Sequence, residues 1–223
     1  MSDMNRSLNY SDVVAVITCI AIAAMSLISF LFTSRFGYEV CTGVFCAIVC
    51  LAPTVLKHYG ILQLPPIFVS VIMLAIFLHA YGVLLLSYDL IKFYDTMTHF
   101  ISSVVVSMCV FYTLMCYQVY SHGVVSFTGA KMSLMITLIM LGFSAYWEVF
   151  EYIVDITTGT TMQYSPFDTL RDMLCNTSGT ILVSVCAGIY TRKNLLDTMV
   201  TSFNLHPRLQ RFIEDPFGEK DKQ

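Results

Sequence analysis

The residues of this chain best suited to chemistry fall in three short stretches: Asp95 with His99, Glu148 with Glu151 and Asp155, and Asp168 with Asp172 and Asn176. Asp95 and His99 are four apart, so on a helix they share a face. Glu148 and Glu151 are three apart, and Asp155 continues that stripe by four. Asp168, Asp172 and Asn176 step by four along one side, with Gly179 just below them. Carboxylates with one imidazole and one amide are oxygen-rich ligands of the kind taken by Mg²⁺, Mn²⁺, Ca²⁺ or iron, and they lack the thiolates that select softer metals. The same groups could do proton chemistry, with His99 oriented by Asp95 as a general base. The expected metal ligands are therefore Glu148, Glu151, Asp168, Asp172 and Asn176, with His99 and Asp95 as the catalytic pair.

These stretches must be positioned by membrane-spanning helices. Of the 223 residues, 57% are hydrophobic and only 12% are charged, about half the charged share of a soluble domain. Six apolar segments reach the roughly 20 residues needed to cross a bilayer, at about 11–33, 38–57, 64–88, 95–119, 132–156 and 169–191. No alternating barrel pattern is present, so the fold class is all-α, a polytopic integral membrane protein with about six transmembrane helices in one bundle. Residues 192–223 form a polar tail with an amphipathic piece from Phe203 to Ile213. Gly37, Gly60, and Gly159 with Pro166 mark breaks between spans, and Pro65 and Pro66 open the third.

Topology follows from basic residues in short loops and tails. One side would hold Arg6, Lys57, Lys131, Arg192, Lys193, Arg208, Arg211, Lys220 and Lys222, the other only Arg35, Lys92 and Arg171. Both termini are expected on the cytoplasmic side of the cell membrane. The fourth span then enters from outside, the fifth returns there and the sixth enters again, so all three stretches meet at the outer face. Polar stripes at one depth should face one another, because each charge turned to lipid costs several kcal/mol. Six carboxylates meet Lys92, Arg171 and a protonated His99 at most, so either some are protonated at neutral pH or a cation sits among them. The plainer reading is a set of solvated charges at helix ends, where Asp95 and Asp168 suit the helix dipole.

Other features are weaker. A net charge of −3 gives no field for nucleic acid. The eight cysteines form no CxxC pair and no zinc spacing, and read as small hydrophobes rather than a disulfide framework. His79, near Tyr88, reads as a packing residue that could reach the site. Tyr146, Trp147 and Tyr152 read as an interfacial aromatic belt.

The segments Tyr94-Asp-Thr-Met-Thr-His-Phe100, Ala145-Tyr-Trp-Glu-Val-Phe-Glu151 and Asp168-Thr-Leu-Arg-Asp-Met-Leu-Cys-Asn176, with Gly179, resemble the YjdF-like family of uncharacterised membrane proteins. A looser likeness, through Asp172, Asn176 and Gly179, reaches the VanZ-like proteins. The resemblance covers about residues 64–190 and implies a multi-helix membrane domain with an acidic constellation. Thr96 and Glu151 depart from the VanZ-like pattern, so its association with glycopeptide resistance does not transfer. The leading expectation is a metal- or proton-dependent site acting on a lipid or envelope substrate. The alternatives are a proton-coupled carrier, disfavoured by the lack of an inverted repeat, and an accessory subunit. Membrane lipids are the expected partners, with membrane-protein partners or a homo-oligomer beside them.

Overall fold

The computed structural model describes residues 9–33, 37–122, 125–193 and 196–216. Arg6, Arg35, Lys220 and Lys222, which entered the topology count, lie outside the described residues. The described residues form helices α1 (Tyr10–Thr33), α2 (Tyr38–Cys50), α3 (Ala52–His58), α4 (Pro66–Leu84), α5 (Ser87–Leu90), α6 (Tyr94–Tyr120), α7 (Ala130–Thr158), α8 (Pro166–Lys193), α9 (Leu196–Thr201) and α10 (Pro207–Glu214). Among them are six spans long and apolar enough to cross a membrane: Tyr10–Phe32, Tyr38–His58, Pro66–Leu84, Tyr94–Tyr120, Ala130–Thr158 and Pro166–Lys193. Their outward faces carry residues such as Ile17, Ile20, Phe45, Leu74, Leu138 and Leu182, all exposed, as lipid contact requires.

Two spans differ from the sequence pattern. The second divides at Leu51 into α2 and α3. Pro53 follows the break, and its missing N–H and ring clash interrupt the hydrogen-bond ladder there. The third ends at Leu84, four residues early, because Leu86 takes a left-handed φ of 57° and the chain restarts as α5. The amphipathic piece also starts late: Phe203 is buried, and the helix opens only at Pro207.

The chain divides into two compact units. One comprises the described residues of Met1–Ile91 and Thr201–Gln223, the other Lys92–Val200. The first unit has a core of Ala15 and Ile22 from α1, Cys46, Ala47 and Cys50 from α2, and Val69, Met73, Ala80 and Leu84 from α4. At one edge of this unit Asp12 is 4% exposed. It accepts from Lys57 Nζ at 2.5 Å, from Thr54 Oγ1 at 3.2 Å and from the backbone N–H of Asn9 at 3.0 Å. All eight cysteines are free.

The second unit is built around α8, which packs against both α6 and α7. Apolar filling comes from Val105, Phe111, Met115, Met132, Ile136, Met140, Val183 and Ala187. The seams are polar and small, as helix pairs in lipid tend to be. Ser107 Oγ donates to Thr180 Oγ1 at 3.3 Å and Ser133 Oγ to the Ser184 carbonyl at 2.7 Å. Gly179 lies so close to α6 that a Cβ there would stand 2.7 Å from the Phe100 carbonyl oxygen and collide with Ser103 Oγ. This contact fixes how near the first turns of α8 come to those of α6.

Candidate functional site

All the candidate residues belong to the second unit, where the start of α6, the last third of α7 and the start of α8 lie together. Asp95 occupies the first turn of α6, and His99 follows one turn later. Phe93, just ahead, holds φ 68°, a conformation that costs a bulky side chain of order 1–2 kcal/mol. It sets the angle at which α6 begins. Asp168 lies in the first turn of α8. Ser165 caps that helix, its Oγ accepting from the Asp168 N–H at 3.2 Å, while the Asp168 carboxylate reaches back to accept from the Tyr164 N–H at 3.2 Å. A carboxylate there also complements the positive end of the helix.

His99 Nε2 is the centre of the cluster. It lies 3.3 Å from Asp95 Oδ1, 3.9 Å from Glu151 Oε1 and 4.0 Å from Asp172 Oδ2. Three helices thus contribute one carboxylate each around one imidazole nitrogen. One ligand atom each from Asp95, His99 and Asp172 all fall within 4.8 Å of one another. Oxygen and nitrogen ligands on one ion at about 2.1–2.5 Å stand roughly 3–5 Å apart from each other, which matches that spread. His99, Glu148, Glu151 and Asp172 are each less than a tenth exposed.

The polar partners divide the cluster. Asp168 is bound up in structure, with Arg171 as an ion partner and the Tyr164 N–H at its other oxygen. Arg171, the guanidinium of the group and 44% exposed, also reaches Asp95 Oδ2 at 3.4 Å and lies 3.6 Å from Asp172 Oδ1. Glu151 Oε1 accepts from Trp147 Nε1 at 2.7 Å. Glu148 Oε2 accepts from Gln163 Nε2 at 3.3 Å. Asn176 donates to Ser144 Oγ at 3.0 Å. Two buried carboxylate oxygens, Glu148 Oε1 and Asp172 Oδ1, have no hydrogen-bond partner. Desolvated acceptors without donors cost free energy, and ionised ones cost more. Around them Asp95, Glu148, Glu151, Asp168 and Asp172 face one guanidinium and one imidazole. Carboxylates outnumber these cations even with His99 protonated.

Asp155 follows the helical stripe but serves the loop after α7. It accepts from Thr160 Oγ1 at 2.8 Å and from the N–H groups of Met162 and Gln163 at 2.7 and 2.9 Å. That loop in turn delivers Gln163, whose amide reaches the Glu148 carbonyl at 2.8 Å as well as its carboxylate. Three contributors were missing from the sequence-derived set. Trp147, read as belt, is a donor to Glu151, and their i,i+4 spacing carries that signal. Arg171, counted only as a nearby cation, contacts three carboxylates. Gln163 sits in an irregular loop, where spacing says nothing. His79 bonds Tyr88 through Nδ1 at 2.9 Å within the first unit.

Six spans and a buried carboxylate–histidine cluster define a multi-pass α-helical membrane protein. The family described as "Predicted membrane protein (DUF2238)" matches residues 13–193, and the chain belongs to that family, which is the YjdF-like family that its motifs resemble. No curated protein and no solved structure matches the chain.

Proposed function

We propose that the second unit binds a divalent cation among Asp95, His99, Glu151 and Asp172, with Glu148 beside them, and that this ion serves chemistry on a lipid or envelope substrate at the outer membrane face. The observation that carries the reading is the pair of buried carboxylate oxygens without a hydrogen bond, Glu148 Oε1 and Asp172 Oδ1, the second facing only the partly exposed Arg171 at 3.6 Å, within a cluster where carboxylates outnumber cations. A bound cation supplies the missing partner and the missing charge together. With imidazole at the centre and carboxylates around it, iron or manganese suits the donors better than magnesium or calcium. Asp168 and Asn176, tied to Arg171 and Ser144, act from outside this set by holding the start of α8 in place. The outer-face assignment rests on the bias of basic residues toward the opposite side.

An ion here would polarise a phosphoryl or carbonyl oxygen or activate a water, as metal-dependent hydrolases do. Arg171, partly exposed beside the cluster, would attract an anionic headgroup. The test is elemental analysis of detergent-purified protein, with melting measured before and after chelation. Stoichiometric metal, lost on Asp172→Asn together with the chelator response, upholds the reading. Metal-free protein whose melting ignores chelator and added metal overturns it. The excess carboxylates would then hold protons, as in a proton-coupled carrier, or serve a structural role in a larger membrane complex.

A further inference from the structure

Helix α10 (Pro207–Glu214, Pro-Arg-Leu-Gln-Arg-Phe-Ile-Glu) is strongly amphipathic, polar in composition yet carrying the exposed aromatic Phe212. At 100° per residue, Leu209, Phe212 and Ile213 fall on one face. Arg208 and Arg211 flank that face on one side, and Gln210 and Glu214 lie on the other. Phe212 is 63% exposed and Leu209 38%, so these two side chains point away from the first unit's own core, with Ile213 half-buried at the edge of the face.

The helix is held at a defined height. The Gln63 N–H donates to the Phe203 carbonyl at 2.7 Å, and the His206 N–H donates to the Ile61 carbonyl at 2.9 Å. Asn204 Nδ2 adds a bond to Gln63 Oε1 at 3.1 Å. Phe203, 1% exposed, plugs the segment into the unit. His206 then caps the helix, its Nδ1 accepting from the Arg208 N–H at 3.1 Å, and Pro207 opens it. Ile61–Gln63 is the turn between the second span, ending at His58, and the third, starting at Pro66. Three residues of chain reach at most about 11 Å, so the root of α10 lies at the membrane boundary. An eight-residue helix is marginal alone in water, and a surface that covers its apolar face would hold it.

We propose that α10 lies in the membrane–water interface of the bilayer the protein spans, with Leu209, Phe212 and Ile213 among the acyl chains and Arg208 and Arg211 at the phospholipid phosphates. Helices with such a face settle about 5–10 Å into the headgroup boundary, and long arginine side chains reach from there to phosphate. The occupant of the exposed face is therefore phospholipid.

The full chain, reconstituted in phosphatidylcholine vesicles with Trp147→Phe to remove its only tryptophan, tests this with Phe212→Trp as probe and Arg211→Trp, exposed and opposite the apolar face, as the polar-face control. Lipid brominated near the top of the acyl chain should quench the Phe212→Trp emission at least about twofold more than the control, given the expected depth. Aqueous iodide should quench it less. Equal iodide quenching at both positions would place the helix in water and overturn the proposal. Shielding of Phe212→Trp from both quenchers would show a protein partner on that face and overturn it equally. Should Phe212→Trp fail to fold, Leu209→Trp reports on the same face with the same outcomes.

Discussion

Each unit buries an aspartate near the end of its helices, and the two sites treat it in opposite ways. In the first unit Asp12 meets Lys57 at 2.5 Å, Thr54 and the Asn9 N–H, and both of its oxygens are used. One negative charge faces one positive charge, and the account closes. In the second unit Asp172 has one oxygen 4.0 Å from His99 and the other without a hydrogen bond, 3.6 Å from the partly exposed Arg171, among carboxylates that outnumber their cations. A buried ion pair that closes on itself is architecture. A buried cluster with more carboxylates than cations and two oxygens without hydrogen bonds carries an electrostatic cost that a structural ion pair does not.

The comparison is sharpened by substitutions of like size at both places. The largest effect is expected from Asp172→Asn, which should weaken divalent-metal binding by about 100-fold or more, since it removes a ligand rather than an outer-shell partner. Metal titration in detergent measures it, and wild-type affinity should fall as pH drops, because carboxylate and imidazole bind metal only when deprotonated. Unchanged affinity in the variant would remove Asp172 from the ligand set.

Stability should next move in opposite directions in the two units. Asp12→Asn leaves Lys57 without its counter-ion and should destabilise by about 2 kcal/mol, being partly buried. Glu148→Gln removes a surplus charge and gives its orphaned site a donor, so the metal-free protein should melt no lower than wild type and up to about 1 kcal/mol more stably. Melting curves of the two variants in chelator give the signs; equal losses in both would erase the distinction between the two sites.

Gly179→Ala forces a methyl against the Phe100 carbonyl and Ser103, and overpacking of this kind costs about 1–3 kcal/mol. Because that contact sets the spacing of α8 from α6, metal affinity should fall with stability. Smallest is Trp147→Phe, which deprives Glu151 of its donor and should weaken metal binding by about tenfold with little change in melting. A variant that melts much lower instead would make Trp147 a packing residue.

Much of the fold was legible because the lipid solvent writes it in composition. Six runs of apolar residues map onto six spans, and Gly60 and Gly159, both at positive φ, end helices where the sequence breaks. Legibility failed where one residue acts on backbone geometry alone. Pro53 splits the second span although the surrounding hydropathy is continuous, and Leu86 ends the third inside an apolar run. For the cluster, helical spacing read correctly which side chains share a face within α6, α7 and α8. It could not tell which members are occupied by local structure. Asp155 and Asp168 have the same charge and phase as their neighbours, yet the loop N–H groups and Arg171 absorb them. The partners of Asp155 come from an irregular loop, where periodicity is blind, whereas Arg171 lies three residues from Asp168, a spacing that marks a helical neighbour.

The bond from Trp147 to Glu151 has a practical corollary. Trp147 is the only indole in the protein, and its N–H is joined at 2.7 Å to a carboxylate of the cluster. Any event that changes the charge or position of that carboxylate alters the electric field along the indole. The purified protein therefore carries an intrinsic optical gauge of this cluster, with no second tryptophan to dilute the signal, and any change in the Glu151 carboxylate can be followed by emission alone.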